Sequence, residues 1–205
     1  MARSVVRLLV LGDSIAFGTG ALRAEHALGP RLAAALTGDG HDVDLHVLAV
    51  PGAVSADLPR QVRAAAPLAA DLALIVVGAN DIVRLVPPEQ AAASLDAALR
   101  TLRAGGTDVV LVPAPDMSSV PFVPPAFRPL VQGACAQLQQ RQAAVARATG
   151  ATVAAVADVN RAFGADAALF AADRFHPSSA GYARIAAALT PAVLAAARAR
   201  RETAA

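Results

Sequence analysis

The chain has no lysine and no tryptophan, and only one tyrosine and one cysteine. A lone Cys135 excludes an internal disulfide and most thiolate metal centres. It lies in the helical stretch "VQGACAQLQQRQAAV" with no His or Asn close in sequence, and so reads as a packed thiol. With no lysine, all 18 basic residues are arginine, set against 16 acidic ones for a net charge of +2. They are scattered, apart from "RARR" at 198–201, where cations suit the end of a helix. With aromatics at 3% and no basic stripe, no nucleic-acid footprint is visible. No uninterrupted apolar stretch approaches the ~20 residues of a spanning helix, so no membrane span is expected. The start, "MARSVVRLLVLGDS", carries two arginines, but its apolar run leads straight into Gly-Asp-Ser. It reads as a first core strand rather than a signal segment, and a cytoplasmic location is expected.

At 205 residues and 56% hydrophobic, much of it alanine, the chain suits a single domain. That domain is placed at 1–199, with 200–205 as a disordered tail. Folding at this size buries about two-thirds to three-quarters of the surface, so no staple is required. Apolar runs at 4–12, 43–50, 71–78, 107–113 and 151–157 read as strands. Several are almost continuously apolar, as in a parallel sheet buried on both faces. Helical patterns fall between them at about 22–36, 56–66, 89–104 and 126–149, with a last helix after Pro177. Leu95, Ala98, Leu99 and Leu102 form one buried stripe. Ser178 is the expected cap of the last helix, and Pro191 its expected kink or restart. Repeated strand–helix–strand units give a three-layer α/β/α sandwich with a five-stranded parallel sheet. The Pro-rich segment at 112–130 is long for such a connection, and long loops are often functional.

In such a sheet the strands all end at one edge, where ligands bind. Strand 1 ends at Gly12-Asp13-Ser14, strand 2 at Pro51-Gly52, and strand 3 at Gly78-Ala79-Asn80-Asp81. After strand 5, "ADRFHPSSAGY" brings Asp173 and His176. If strand 1 lies between strands 2 and 3, Gly52 and Asn80 flank Ser14. These are the parts of an acyl-transfer site. A serine hydroxyl needs a base to take its proton, and histidine titrates in the right range. The imidazole needs an acceptor on its other nitrogen. Asp173, three residues before His176, is placed to supply it. The Ser14 and Gly52 N–H groups and the Asn80 amide are suitable donors to a developing oxyanion.

These blocks, "GDSIAFG", "VPGAVSADL", "GAND" and "DRFHPS", resemble the four blocks of the SGNH (GDSL-type) hydrolase family, in the family's order. The resemblance implies a flavodoxin-like fold and a metal-free, cofactor-free esterase or lipase-like mechanism. It further implies a triad of Ser14, Asp173 and His176 and an oxyanion hole of Ser14, Gly52 and Asn80. One departure is "AVPG", with Ala49 and Pro51 where family members often carry an Asn before the glycine.

Other residues have plainer readings. Asp13 is expected to hold its turn by hydrogen bonding, and Asp81 likewise. His26, His41 and His46 lack comparable partners, and Asp158 is a rival carboxylate for His176. A phosphate loop fails because no Gly-Lys-Ser/Thr ending is present. No three ligands fall at metal spacing, so no metal site is expected. Leu85, Val86, Val120, Phe122 and Val123 are candidates for an apolar substrate wall. The expected substrate is a small-molecule carboxylic ester or thioester. The alternatives are a deacetylase of an acetylated sugar or metabolite and a non-catalytic binding module. The sequence leaves the oligomeric state open.

Overall fold

Side chains alternate between the two faces of a strand, so the unbroken apolar runs Leu8–Leu11 and 72–77 require helices on both faces. The computed structural model describes residues 5–204 and has that arrangement. In chain order the elements are β1 (Val5–Gly12), α1 (Ser14–Phe17), α2 (Leu28–Gly38), β2 (Asp42–Val47), α3 (Leu58–Ala65), β3 (Leu72–Val76) and α4 (Ala79–Val83). There follow α5 (Pro88–Ala104), β4 (Asp108–Val112), α6 (Arg128–Thr149), β5 (Thr152–Val153), α7 (Ala157–Ala165) and α8 (Ser179–Ala204). All strand pairings are parallel, in the order β2-β1-β3-β4-β5. This is the flavodoxin-like order, which sets β1 between β2 and β3.

The alternation divides the core in two. Leu8, Val10, Leu72, Leu74 and Val110 meet Leu32 and Leu36 of α2 and Tyr182, Ile185, Leu189 and Val193 of α8 on one face. On the other, Leu9, Leu11, Ala73, Ile75 and Leu111 meet Leu58 and Val62 of α3 and Leu95, Leu99 and Leu102 of α5. By length and composition α8 is apolar enough to cross a membrane. Its apolar stripe nevertheless belongs to the first of these cores.

Three expectations differ from the structure. The fifth strand is two residues long, because only Thr152 and Val153 pair with β4, and the chain turns into α7, a helix the sequence reading missed. Helix α8 does not restart at Pro191 but continues through it, with Leu189 and Val193 packed in the core on either side. Of the segment expected as a tail, residues 200–204 continue that helix, with Arg200 on Asp71 and Asp108 at 3.3 and 3.0 Å, and residue 205 lies outside the described residues. Ser178 caps α8 as expected, accepting from the Gly181 N–H at 3.2 Å.

The end of β1 is the tightest point. Gly12 pairs with Val76 and has φ +125°; a Cβ there would lie 1.8 Å from the Val76 carbonyl oxygen. Only glycine permits this approach. Buried Gln61 of α3 closes the other side. Its Oε1 accepts from the Gly12 N–H at 2.8 Å, and its Nε2 donates to the Gly12 carbonyl at 2.9 Å. Gln142 of α6 joins the ends of β3 and β4 in the same way, through the Val77 carbonyl and the Ala114 N–H. Gly12→Ala adds both a positive-φ penalty and a backbone clash, and is expected to lower the unfolding free energy by about 3 kcal/mol or more. The measurement is the urea midpoint at unchanged m.

Candidate active site

Beyond Gly12 the chain makes one helical turn. The Asp13 carboxylate accepts from the Ile15 N–H at 2.9 Å, and Gly18, in the left-handed region, ends α1. Ser14 is thereby the first residue of a four-residue helix at the carboxyl edge of the sheet. The second contribution comes from the loop before α8. That loop is pinned by an antiparallel bridge between Phe170 and Pro177, and by the Ala171 N–H on the His176 carbonyl at 2.7 Å. Within it, Asp173 Oδ1 accepts from the N–H groups of Phe175 and His176 at 2.9 and 3.0 Å. Its Oδ2 lies 2.6 Å from His176 Nδ1, and His176 Nε2 lies 3.0 Å from Ser14 Oγ. The structure thus brings Ser14, His176 and Asp173 into one hydrogen-bonded row. A carboxylate on Nδ1 fixes the tautomer that leaves Nε2 facing the hydroxyl as an acceptor.

The third contribution is the turn after β2. Gly52 there has φ +82°, and neither its N–H nor that of Ser14 donates a hydrogen bond among the described residues. Three residues around α4 hold this turn. Asn80 Nδ2 donates to the Ala53 carbonyl at 3.0 Å, leaving its second amide hydrogen available. The Asp81 carboxylate accepts from the Ser55 N–H and hydroxyl at 3.1 Å. Arg84 donates to the Gly52 carbonyl at 2.8 Å. Asp81 therefore reaches across to the neighbouring loop, rather than only holding its own turn as the sequence suggested. Arg84 carried no sequence signal.

The remaining candidates lie elsewhere. Asp158 is exposed and paired with Arg161. His26 does have a partner, with Nδ1 2.9 Å from Ser179 Oγ, and His46 sits 3.0 Å from Asp44. Buried His41 faces Asp39 at 3.6 Å.

Beside His176 opens a crevice of about 510 Å³, including its open mouth. Ile15, Met117, Val120, Phe163, Phe170 and Phe175 are among its lining residues. Of the five proposed wall residues only Val120 lines it. Val86 packs under its loop against Ala91, Ala114 and Leu138, and Val123 packs against the Met117 cluster. Leu85 stands in solvent at φ +54°. Phe122 is exposed and stacks on Phe175, ring centroids 5.9 Å apart. The three phenylalanines of the crevice belong to α7 and the segment after it, whose course the sequence reading missed.

Two aspartates near the site have opposite environments. Burial pushes the Asp13 carboxyl up to about 7, against the backbone N–H groups of Ile15, Ala16 and Gly78 that favour its charged form. Among the described residues its Oδ2 has no hydrogen-bond partner. For Asp173 desolvation is the largest single influence, but hydrogen bonds from His176 and from the Phe175 and His176 N–H groups together outweigh it and hold the carboxyl below its ordinary value. Burial, with the charges of Asp13 and Asp173, raises the Tyr182 phenol, which donates to the Thr19 carbonyl at 2.7 Å.

A doubly wound parallel sheet carrying serine, histidine and aspartate in succession at its carboxyl edge has the architecture of the SGNH class. The chain belongs to the GDSL-like lipase/acylhydrolase family, whose model matches residues 10–184. It is 32% identical over 185 residues to the GDSL-like esterase Rv1075c of Mycobacterium tuberculosis; the match takes in 87% of this chain but only 58% of that protein's length. Among solved structures it is similar to TesA, with a TM-score of 0.78 and 25% identity, covering 93% of this chain and 99% of that one. It shares the fold of Axe2, an acetylxylan esterase from Geobacillus stearothermophilus, with a TM-score of 0.77 and 18% identity, covering 94% and 95% of the two chains.

The raised Asp13 carboxyl has a consequence for stability. Its folded value lies above the unfolded one near 4, so between about pH 4 and 7 the folded protein binds a proton the unfolded chain has released. Stability therefore falls as pH rises through that window, by up to roughly 4 kcal/mol. Asp13→Asn keeps an acceptor for the Ile15 N–H and removes the titration. Its unfolding free energy, measured by urea at pH 4, 5.5 and 7, is expected to vary distinctly less than the parent's.

Proposed function

We propose that the protein is a serine esterase that hydrolyses carboxylic esters or thioesters through an acyl-enzyme. The observation that carries this reading is the unbroken row from Ser14 Oγ through His176 to Asp173, set at the end of a crevice lined mainly by apolar groups. Nε2 of His176 takes the hydroxyl proton as Ser14 Oγ forms its bond to the acyl carbon. Asp173 holds the ring and balances the imidazolium charge. The carbonyl oxygen, now an anion, receives the Ser14 and Gly52 N–H groups and the second hydrogen of the Asn80 amide. A single such donor is worth about 3 kcal/mol in the transition state. The bond from the acyl carbon to the leaving oxygen or sulfur then breaks, and His176 returns the proton to the leaving group. Water enters, gives a proton to His176 and attacks the acyl carbon. The second intermediate collapses to the free acid and a regenerated serine.

The crevice supplies the preference. Its lining includes Asp116, Ser119 and Asn160 but is mainly aromatic and aliphatic. That suits a linear acyl chain better than the hydrogen-bonding surface of a sugar, and the acyl-chain ester is preferred over a sugar acetate on that ground.

Two measurements test the proposal. Fluorophosphonate labelling at Ser14, with a fall of 10³-fold or more in kcat for Ser14→Ala on p-nitrophenyl esters, is the expected result; labelling elsewhere, or activity retained in the variant, refutes it. Val120→Phe narrows the crevice and is expected to reduce kcat/KM for octanoyl esters at least about tenfold relative to acetyl esters. An unchanged ratio removes the crevice from acyl binding.

A further inference from the structure

In the proposed reaction the proton of Ser14 Oγ crosses 3.0 Å to His176 Nε2. The two residues stand on separate segments, α1 and the loop before α8. Asp173 orients the imidazole, and the bridge between Phe170 and Pro177 closes the loop on itself. Both act inside the loop, and neither fixes its distance from α1. A misplacement of about 1 Å can cost on the order of 10²-fold in rate, so whatever joins the two segments bears directly on the chemistry.

Residues 18–22, which follow α1, make that join. The Ser14 carbonyl accepts from the Gly18 and Thr19 N–H groups at 3.0 and 2.9 Å, which ties the serine peptide to this segment. The Thr19 carbonyl accepts in turn from the hydroxyl of fully buried Tyr182, in the first turn of α8, at 2.7 Å. Gly20, at φ +93°, lies against the histidine loop. A Cβ there would stand 2.5 Å from the Pro177 carbonyl oxygen and 3.0 Å from the His176 Cβ. Ser179, the first residue of α8, takes the far end of the segment. Its Oγ accepts from the Leu22 N–H at 3.0 Å and lies 2.9 Å from His26 Nδ1. Arg31 of α2 adds a clamp, from Nε to the His26 carbonyl at 2.8 Å and from a terminal nitrogen to the Ser179 carbonyl at 3.2 Å.

We propose that Tyr182 and Ser179 are positioning residues for the esterase reaction. They fasten residues 18–22 to the start of α8 on both sides of Gly20, and so set the separation of Ser14 and His176. The inference rests on the esterase reading above. Neither side chain lines the crevice, and the Gly52 turn and the Asn80 amide are held together from α4. Loss of either hydroxyl therefore leaves acyl binding and the oxyanion donors in place and acts on proton transfer. Tyr182→Phe keeps the ring in its place in the core and removes only the bond to Thr19.

The test is the kinetics of fluorophosphonate labelling of the full chain, which reads attack by Ser14 without a deacylation step. For Tyr182→Phe and, separately, for Ser179→Ala, the limiting labelling rate is expected to fall at least about tenfold. The half-saturating probe concentration is expected to stay within about twofold of the parent's. Ser179→Thr keeps a hydroxyl and is expected to label at the parental rate. Rates are taken per folded molecule, with circular dichroism under the same conditions, so a variant that is merely destabilised labels like the parent. Where Tyr182→Phe does not fold, Ser179→Ala decides, since its bond to Leu22 is exposed. The proposal is overturned if either folded variant labels like the parent, if half-saturation moves as far as the rate, or if Ser179→Thr is as slow as Ser179→Ala. A parent that is not labelled at Ser14 overturns the esterase reading and this inference with it; a labelled parent matched by its variants overturns this inference alone.

Discussion

The site depends on how closely two backbones approach at Gly12. Parallel strands deliver their ends to one edge only while their register is kept, and β1 keeps its register with β3 to the last pair, Gly12 against Val76. A side chain at that point would collide with the Val76 carbonyl. The glycine lets the chain turn at once into α1, so Ser14 stands two residues past the last paired position. On the other flank the chain leaving β2 still reaches Gly12, the Val50 N–H donating to its carbonyl at 3.0 Å, but it leaves the buried Gly12 N–H without a strand partner. Gln61 fills that gap with an amide that imitates a strand neighbour. Burying a peptide group without such a partner costs about 1–3 kcal/mol; with it, the strand end is fixed from both sides.

A second fixed body is the pair formed by α4 and the Gly52 turn. Asn80, Asp81 and Arg84 reach the Ala53 carbonyl, the Ser55 N–H and hydroxyl, and the Gly52 carbonyl in turn. One short helix therefore sets the position of its own Asn80 amide and of the Gly52 peptide together. The Gly52 turn is thus held from across the loop, and the Gly52 N–H donates no hydrogen bond among the described residues.

The sequence made the large pattern legible because burial on both faces leaves a simple mark: continuous apolar runs at regular distance, each followed by polar residues at one edge. Ser14, Gly52 and Asn80 could be picked out because each interrupts such a pattern at a strand end, and Asp173 and His176 because they stand together just ahead of the last helix. Gln61 and Gln142 could not, since a glutamine inside a helix looks like any solvent-facing residue until its partners are known. The same holds for the crevice. Phe163, Phe170 and Phe175 follow a two-residue strand whose apolar neighbourhood reads as a longer one, and α7 disappears into that reading. Side chains expected to form the wall, Leu85 and Phe122, are apolar loop residues that the structure turns outward.

The two aspartates beside the serine follow from that placement. Asp13 immediately precedes Ser14, so its side chain is carried under α1, into the protein, where desolvation favours the protonated acid. A carboxyl there suits capping α1 and is poorly placed to stay charged. Asp173 lies in a loop on the surface, its oxygens filled by two N–H groups and an imidazole nitrogen, so its charge persists far below neutrality. An imidazole that must become cationic during acyl transfer needs a partner that remains an anion throughout. Chain geometry thus gives the two carboxyls different parts in the proposed chemistry: the aspartate next to Ser14 in sequence builds its turn, and the one 159 residues beyond the serine, held in a tight surface turn with His176, is placed to carry the charge.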